Sequence, residues 1–271
     1  MTIRFRNRMT LIFFIFSISC LMLGIFFTLY QFLSHGIVLP EVYTPSASSN
    51  FFLKYNPVCV FAGIFVMLAY VCLTTMIIYH SFEKTQAPDM VFFLIFLFAC
   101  LCDTSRLLVP VCRLSGTFSL FLLRIGDLHL FARLLAPLAL MGATAMSSDE
   151  FRQSTDRNSI ILIIIAMFFA EIIPLNTAVI LPNYCISYGY VKGIRSFSLL
   201  TSLVSAISLF VINNKNEYKQ IMTLGFLLLS TGYSLIFYCY NIAALATGII
   251  LLGLGTYFYL NEVHKHYLWI D

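Results

Sequence analysis

Runs of about twenty mostly apolar residues recur along almost the whole chain. This constrains the fold most, because crossing a hydrocarbon core of roughly 30 Å takes about twenty residues of α-helix. Laid on the sequence, that ruler marks eight segments: 11–33, 57–79, 91–112, 117–146, 160–181, 196–212, 221–240 and 241–260. In lipid every backbone polar group must be satisfied internally, so such runs are helices and the chain reads as an all-α, polytopic transmembrane bundle. The sixth run is short, and the last two are separated by almost nothing. The residues between Lys219 and Glu262 are nevertheless too many for one span and suit a tight helical hairpin. Eight spans is the preferred count, and seven is the fallback.

Composition agrees. Of 271 residues 60% are apolar and 10% charged, and the mean hydropathy is +0.91, whereas a soluble domain carries about 25% charged residues. The formal net charge is +4, and the basic residues come one to three at a time without a Lys/Arg-rich stripe. Nucleic acid is thereby excluded as a partner, and the lipid bilayer is the first partner implied. No internal polar stretch is long enough to form a soluble domain.

Lys and Arg in short loops are retained on the cytoplasmic side. With the N-terminus inside, Arg4, Arg6, Arg8, Lys84, Arg152, Arg157, Lys215, Lys219 and Lys265 lie inside, and Lys54, Arg113, Lys192 and Arg195 lie outside. The imbalance predicts both termini in the cytoplasm and a place in the inner cell membrane. The organisation is then an anchor helix over 1–34, an outer loop over 35–56, a seven-helix bundle over 57–262 and a cytoplasmic tail over 263–271. The first segment imitates a signal peptide, but its apolar run continues past Cys20. An uncleaved anchor is expected over lipoprotein-type cleavage before that cysteine. Cys20, Cys59, Cys72, Cys100 and Cys102 fall in or beside apolar runs, where cysteine behaves as a small hydrophobe. Cys112, Cys185 and Cys239 lie near the outer face, where an oxidising compartment would allow one disulfide among them.

Ionisable groups near the centre of a span cost about 2.5 to 3.5 kcal/mol each by insertion scales, and they face the bundle or a wet cavity. Segment three carries Asp103 and Arg106, segment four Arg124, Asp127, His129 and Arg133, and segment five Glu171. An antiparallel hairpin of segments three and four, reflected through residue 115, brings Asp103 level with Asp127 and Arg106 level with Arg124. Each Asp lies one helical turn from its Arg. Glu171, placed well inside its span, reaches a similar depth, so all three acids are expected in one layer. On a helical wheel Arg124 and Asp127 share one face of segment four while His129 and Arg133 lie nearly opposite. That helix has no face to offer lipid and is expected to be the most enclosed. Pro110, Pro137 and Pro174 deny a hydrogen bond to the carbonyls of Arg106, Arg133 and Ala170, so the layer is expected to be bent and wet.

These seven residues are the candidate site. Read plainly they are interhelical glue. Read functionally they line a pocket for a small ligand or signal, or form a proton path, and least readily a catalytic site, since no nucleophile has a convincing base. A second polar patch, Ser230, Thr231, Tyr233 and Ser234, lies midway along segment seven. Its hydroxyls are expected to bond to backbone or neighbouring helices, or else to line the same cavity. Tyr184, Tyr188 and Tyr190 in the outer loop are expected in the interfacial aromatic belt, with a lid over the pocket as the alternative. Ala244, Gly248, Gly253 and Gly255 supply a small-residue face for close helix packing.

No cofactor or metal is expected. No lysine lies in a span to form a Schiff base. His35, His80, His129, His264 and His266 do not pair at one face and depth as metal or haem ligands would. Neither H-E-x-x-H nor G-x-S-x-G occurs.

With the first segment set aside, the remaining seven follow a short outer loop as one unit. This layout, over roughly residues 57–262, resembles the membrane part of the bacterial seven-transmembrane receptors with diverse intracellular signalling modules. The resemblance is architectural and carries no site residues across. It implies a receptor-like or accessory bundle binding a small ligand or a membrane-protein partner. In that family an output domain such as a kinase or cyclase follows the bundle, whereas this sequence stops at Asp271, so action with a separate partner is the expectation. The competing class is a proton-coupled transporter using Glu171 or Asp127. Against it, the two halves show no inverted repeat in their placement of charge or proline.

Overall fold

The computed structural model describes residues 3–35, 54–83, 88–114, 120–146, 155–215 and 221–268. The elements in order are α1 (Ile3–His35), α2 (Pro57–Ser81), α3 (Asp89–Asp103), a 3-10 turn (Thr104–Leu107), α4 (Leu108–Val111), α5 (Leu120–Met146), α6 (Thr155–Ile172), β1 (Leu175–Ile180), β2 (Ile186–Tyr188), α7 (Val191–Lys215), α8 (Ile221–Phe237) and α9 (Ile242–Leu268). Among the described residues six stretches are long and apolar enough to cross a membrane: α1, α2, α3 through α4, α5, α7 and α9. Helix α8 is apolar but 17 residues long, and α6 has 18 residues with Asp156, Arg157 and Glu171 among them. Most of the outer loop, 36–53, lies outside the described residues, as do Lys84, Arg152 and Lys219 from the orientation argument. Helix α9 runs on through part of the expected tail.

The bundle is built around α5. Of its most apolar stretch 78% is buried, the highest share among the six spans, against 11% for α1. The enclosure is strongest from His129 onward, whereas the first turns of the helix, with Leu120, Phe121 and Arg124, are exposed. Residues of α2, α3 and α5 form the dry centre, with Ile64, Met67, Met90, Phe93, Phe96, Leu130 and Leu135 fully buried. Phe93 stacks on Tyr259 of α9 at 5.5 Å. Asn56 starts α2 by accepting from the Val58 N–H at 2.9 Å, with Pro57 at the first helical position where its missing donor costs nothing.

Residues 221–268 form the expected hairpin, in which α8 and α9 are joined by residues 238–241. The helices touch backbone to backbone at glycines seven residues apart on each. A Cβ at Gly232 would lie 2.5 Å from the Leu252 nitrogen, and one at Gly255 would collide with the Leu229 nitrogen and the Gly225 carbonyl. Gly253 faces open space, so the close face comprises Gly225, Gly232, Gly248 and Gly255.

The three prolines act in three different ways. Pro110 leaves the Arg106 carbonyl without its usual donor, and the third span tightens into the 3-10 turn just before it. Helix α5 runs on through Pro137. Pro174, expected to bend a helix over 160–181, ends it: α6 stops at Ile172 because Pro174 offers no N–H and disfavours the helical region for the residue before it. The apolar residues beyond it pair instead as an antiparallel hairpin, Leu175 opposite Tyr188 and Ile180 opposite Ile186. The ladder is extended by Gly189 N–H to the Pro174 carbonyl at 2.8 Å and Leu181 N–H to the Cys185 carbonyl at 2.8 Å.

Candidate functional site

Four of the seven predicted charged residues meet where α3, α5, α8 and the hairpin converge. Asp103 is the last residue of α3, and the 3-10 turn presents Arg106 one turn on. His129 and Arg133 lie four apart on one face of α5. Asp103 Oδ1 is 2.9 Å from His129 Nδ1, and its Oδ2 is 3.4 Å from Arg106 Nη2. All four residues are at most 2% exposed. Arg106 Nη1 donates to the carbonyl of Phe237 at 3.1 Å, at the C-terminal end of α8 where the helix dipole is negative. Arg133 Nη2 donates to the Tyr238 hydroxyl at 3.0 Å, and its guanidinium lies 4.0 Å over the Phe237 ring, which also stacks on His129.

The hairpin closes over this cluster. Cys185 Sγ lies 3.9 Å from both Arg106 Nη1 and His129 Nδ1. Asn183 Nδ2 donates to the Phe237 carbonyl at 3.4 Å, Tyr55 donates to the Pro182 carbonyl at 3.2 Å, and the Tyr184 ring packs 5.0 Å from Phe61 of α2. Tyr184 and Tyr188 are therefore buried and not part of an aromatic belt, whereas Tyr190 is 77% exposed. Their segment packs against the charged cluster through Cys185 and Asn183.

The other three charges form a separate group. Arg124 Nη1 lies 3.2 Å from Asp127 Oδ2 and 3.3 Å from Glu171 Oε1, with Arg124 67% and Glu171 57% exposed. The three acids thus do not share one cluster: Asp103 pairs with His129 and Arg106, and Asp127 and Glu171 share Arg124. Glu171 stands in the last turn of α6, not deep in a span, because the helix stops one residue later.

In the second patch, Ser230 and Thr231 donate to the Leu227 carbonyl and Ser234 to the Ser230 carbonyl, so these hydroxyls are spent on their own helix. Tyr233 is different. It is buried edge-on to Phe96, with its ring 6.5 Å from that of Phe237, which stacks on His129 and carries Arg133, so it belongs to the buried cluster. All eight cysteines are unpaired, with Cys112 exposed and Cys185 and Cys239 buried. The disulfide expected as an option among these three is not formed, and the Cys239 thiol instead donates to the Cys59 carbonyl at 3.4 Å. Among the described residues no three His, Cys, Asp or Glu side chains gather as a metal ion would need.

Sequence reasoning missed Phe237 and Tyr238, which hold the arginines, and Cys185, which the hairpin's turn sets against Arg106 and His129. The Pro182-Asn183 pair, a turn signal between β-branched residues, was the available clue to the last. No family model, characterised protein or solved structure matches this chain, so the geometry of the site carries the functional reading.

Proposed function

We propose that the chain is an eight-span bundle of the inner cell membrane, with both termini cytoplasmic, that works as a receptor-like or accessory protein. It binds a small ligand or a membrane-protein partner at the buried charged cluster and performs no covalent chemistry. The observation that carries this is the burial of Asp103, Arg106, His129 and Arg133 together beneath a hairpin whose residues touch them.

The span count draws support from α6 and α8, whose lengths correspond to about 27 and 26 Å, close to a bilayer core. The charges of α6 stand at its two ends, where the interface lies. The shared side of the termini draws support from their contacts. Arg6 near the start of α1 donates to the Phe82 carbonyl just after α2, and the Phe82 ring packs 5.3 Å from His264 near the end of α9. At the other end, Asn56 N–H donates to the Tyr240 carbonyl at 2.9 Å, and Tyr55 holds the hairpin. With the termini inside, the hairpin faces outward.

Proton-coupled transport draws less support, because Asp127 and Glu171 share the exposed Arg124 and stand apart from the buried four. Proteoliposomes loaded with a pH-sensitive dye and given a membrane potential test the choice. The expected result is no proton uptake above that of empty vesicles. Uptake that disappears in Glu171→Gln would overturn the binding reading in favour of transport.

A further inference from the structure

The buried cluster holds more positive charge than its own acid can balance. Arg106 and Arg133 contribute two positive charges, Asp103 one negative, and His129 none or one more, for a formal sum of +1 or +2. The C-terminal end of α8, on which Arg106 is seated, supplies about −0.5. About +0.5 to +1.5 is left in a region where an uncompensated charge is strongly disfavoured.

The hydrogen-bond inventory points the same way. Nε of Arg106, Nε and Nη1 of Arg133, Nε2 of His129 and the hydroxyl of Tyr233 are buried and find no hydrogen-bond partner among the described residues; the Asp103 oxygens, within ion-pair distance of His129 and Arg106, make no well-formed hydrogen bond either, so the unpaired donors in the cluster outnumber the unpaired acceptors. Buried polar groups are paired in roughly 90% of cases or more, and a guanidinium can only donate. Asp103 turns its oxygens to His129 and Arg106, so it does not answer the donors of Arg133 and Tyr233. Water could accept from these donors but would leave the charge.

We propose that this cluster binds one oxyanion group, a carboxylate or a phosphate, held by Arg133, His129, Arg106 and Tyr233 beneath the Leu175–Tyr188 hairpin. The proposal rests on the binding reading above and names its ligand class. Guanidinium groups suit planar and tetrahedral oxyanions through paired, charge-assisted hydrogen bonds, which favours them over a spherical halide. The group could belong to a soluble molecule or to a lipid headgroup, since both sources present the same chemistry.

The test is thermal unfolding of the delipidated full chain in detergent, with sodium phosphate or sodium acetate compared with sodium chloride at matched ionic strength. At concentrations a hundredfold above Kd, at least one oxyanion is expected to raise the wild-type midpoint by about 5 to 10 °C over chloride. Arg133→Met is expected to lose that shift. Asp103→Asn, less stable in chloride, is expected to show a larger one, because the anion replaces the missing carboxylate. Where either variant does not accumulate, the wild-type comparison decides alone, and the absence of a shift beyond chloride overturns the proposal. Native mass spectrometry before delipidation separates the sources: retained phospholipid identifies a headgroup, and a retained small anion identifies a soluble ligand. The two readings fail separately, since proton flux together with an oxyanion shift would keep this site and discard the receptor-like role.

Discussion

Asp103→Ala lowers the unfolding free energy by about 3 to 5 kcal/mol, the cost of removing one partner from a buried charge network. Its carboxylate is the one acid among the buried four, set between His129 and Arg106. Its removal leaves two arginines facing each other's charge with only the end of α8 to offset them. Against the roughly 5 to 15 kcal/mol that holds a domain folded, the loss is large enough to reduce accumulation in the membrane. Glu171→Ala is the control. Its carboxylate is 57% exposed beside an exposed Arg124, where ion pairs contribute at most about 1 kcal/mol. Unfolding in a mixed-detergent titration, with protein level as a second readout, compares the two. Equal effects would show that the four residues are not the buried network described.

The glycine face of α8 and α9 gives the second large effect, and it carries a sign test. Gly232→Ala destabilises by about 1 to 3 kcal/mol, at the upper end of that range because the new methyl meets the Leu252 and Leu251 backbone, which no rotamer change can move. Gly253→Ala, two residues before Gly255 but facing open space, stabilises by up to about 1 kcal/mol through helix propensity. Opposite shifts in unfolding midpoint are the expected outcome. Shifts of the same sign would mean that the two helices do not meet at Gly232.

The helical class and most of the helix positions were legible because each span is written as a long apolar run. The enclosure of the His129 and Arg133 face of α5 was legible too, since a wheel placed these residues opposite Arg124 and Asp127; the Arg124 end of the helix is exposed instead. The partner of Asp103 was not legible from hairpin symmetry. Pairing Asp103 with His129 puts the centre of the hairpin at residue 116, not 115, and this small change moves the pairing by two positions along α5. Two positions rotate an α-helix by about 200°, which exchanges the Asp127 face for the His129 face. Loop length decides that register, and apolar periodicity does not encode it. The β-hairpin was hidden for a different reason. Leu175, Ala178, Val179, Ile180 and Leu181 extend the apolar run of α6, so a window of about twenty residues reads through Pro174. The β-branched Thr177, Val179 and Ile180 together with Pro182-Asn183 carried the strand and turn signal, at a length too short to register against a span.

Reaction of single-cysteine variants retaining Cys112 or Cys185 with a membrane-impermeant maleimide on intact cells tests most directly whether an outward hairpin seals the charged cluster. Cys112 is exposed at the end of the third span, while Cys185 is 1% exposed against Arg106 and His129. The account predicts that Cys112 reacts readily without permeabilisation and that Cys185 reacts far more slowly, at the rate at which the hairpin opens. Cys185 reacting as fast as Cys112, or Cys112 reacting only after permeabilisation, would contradict it.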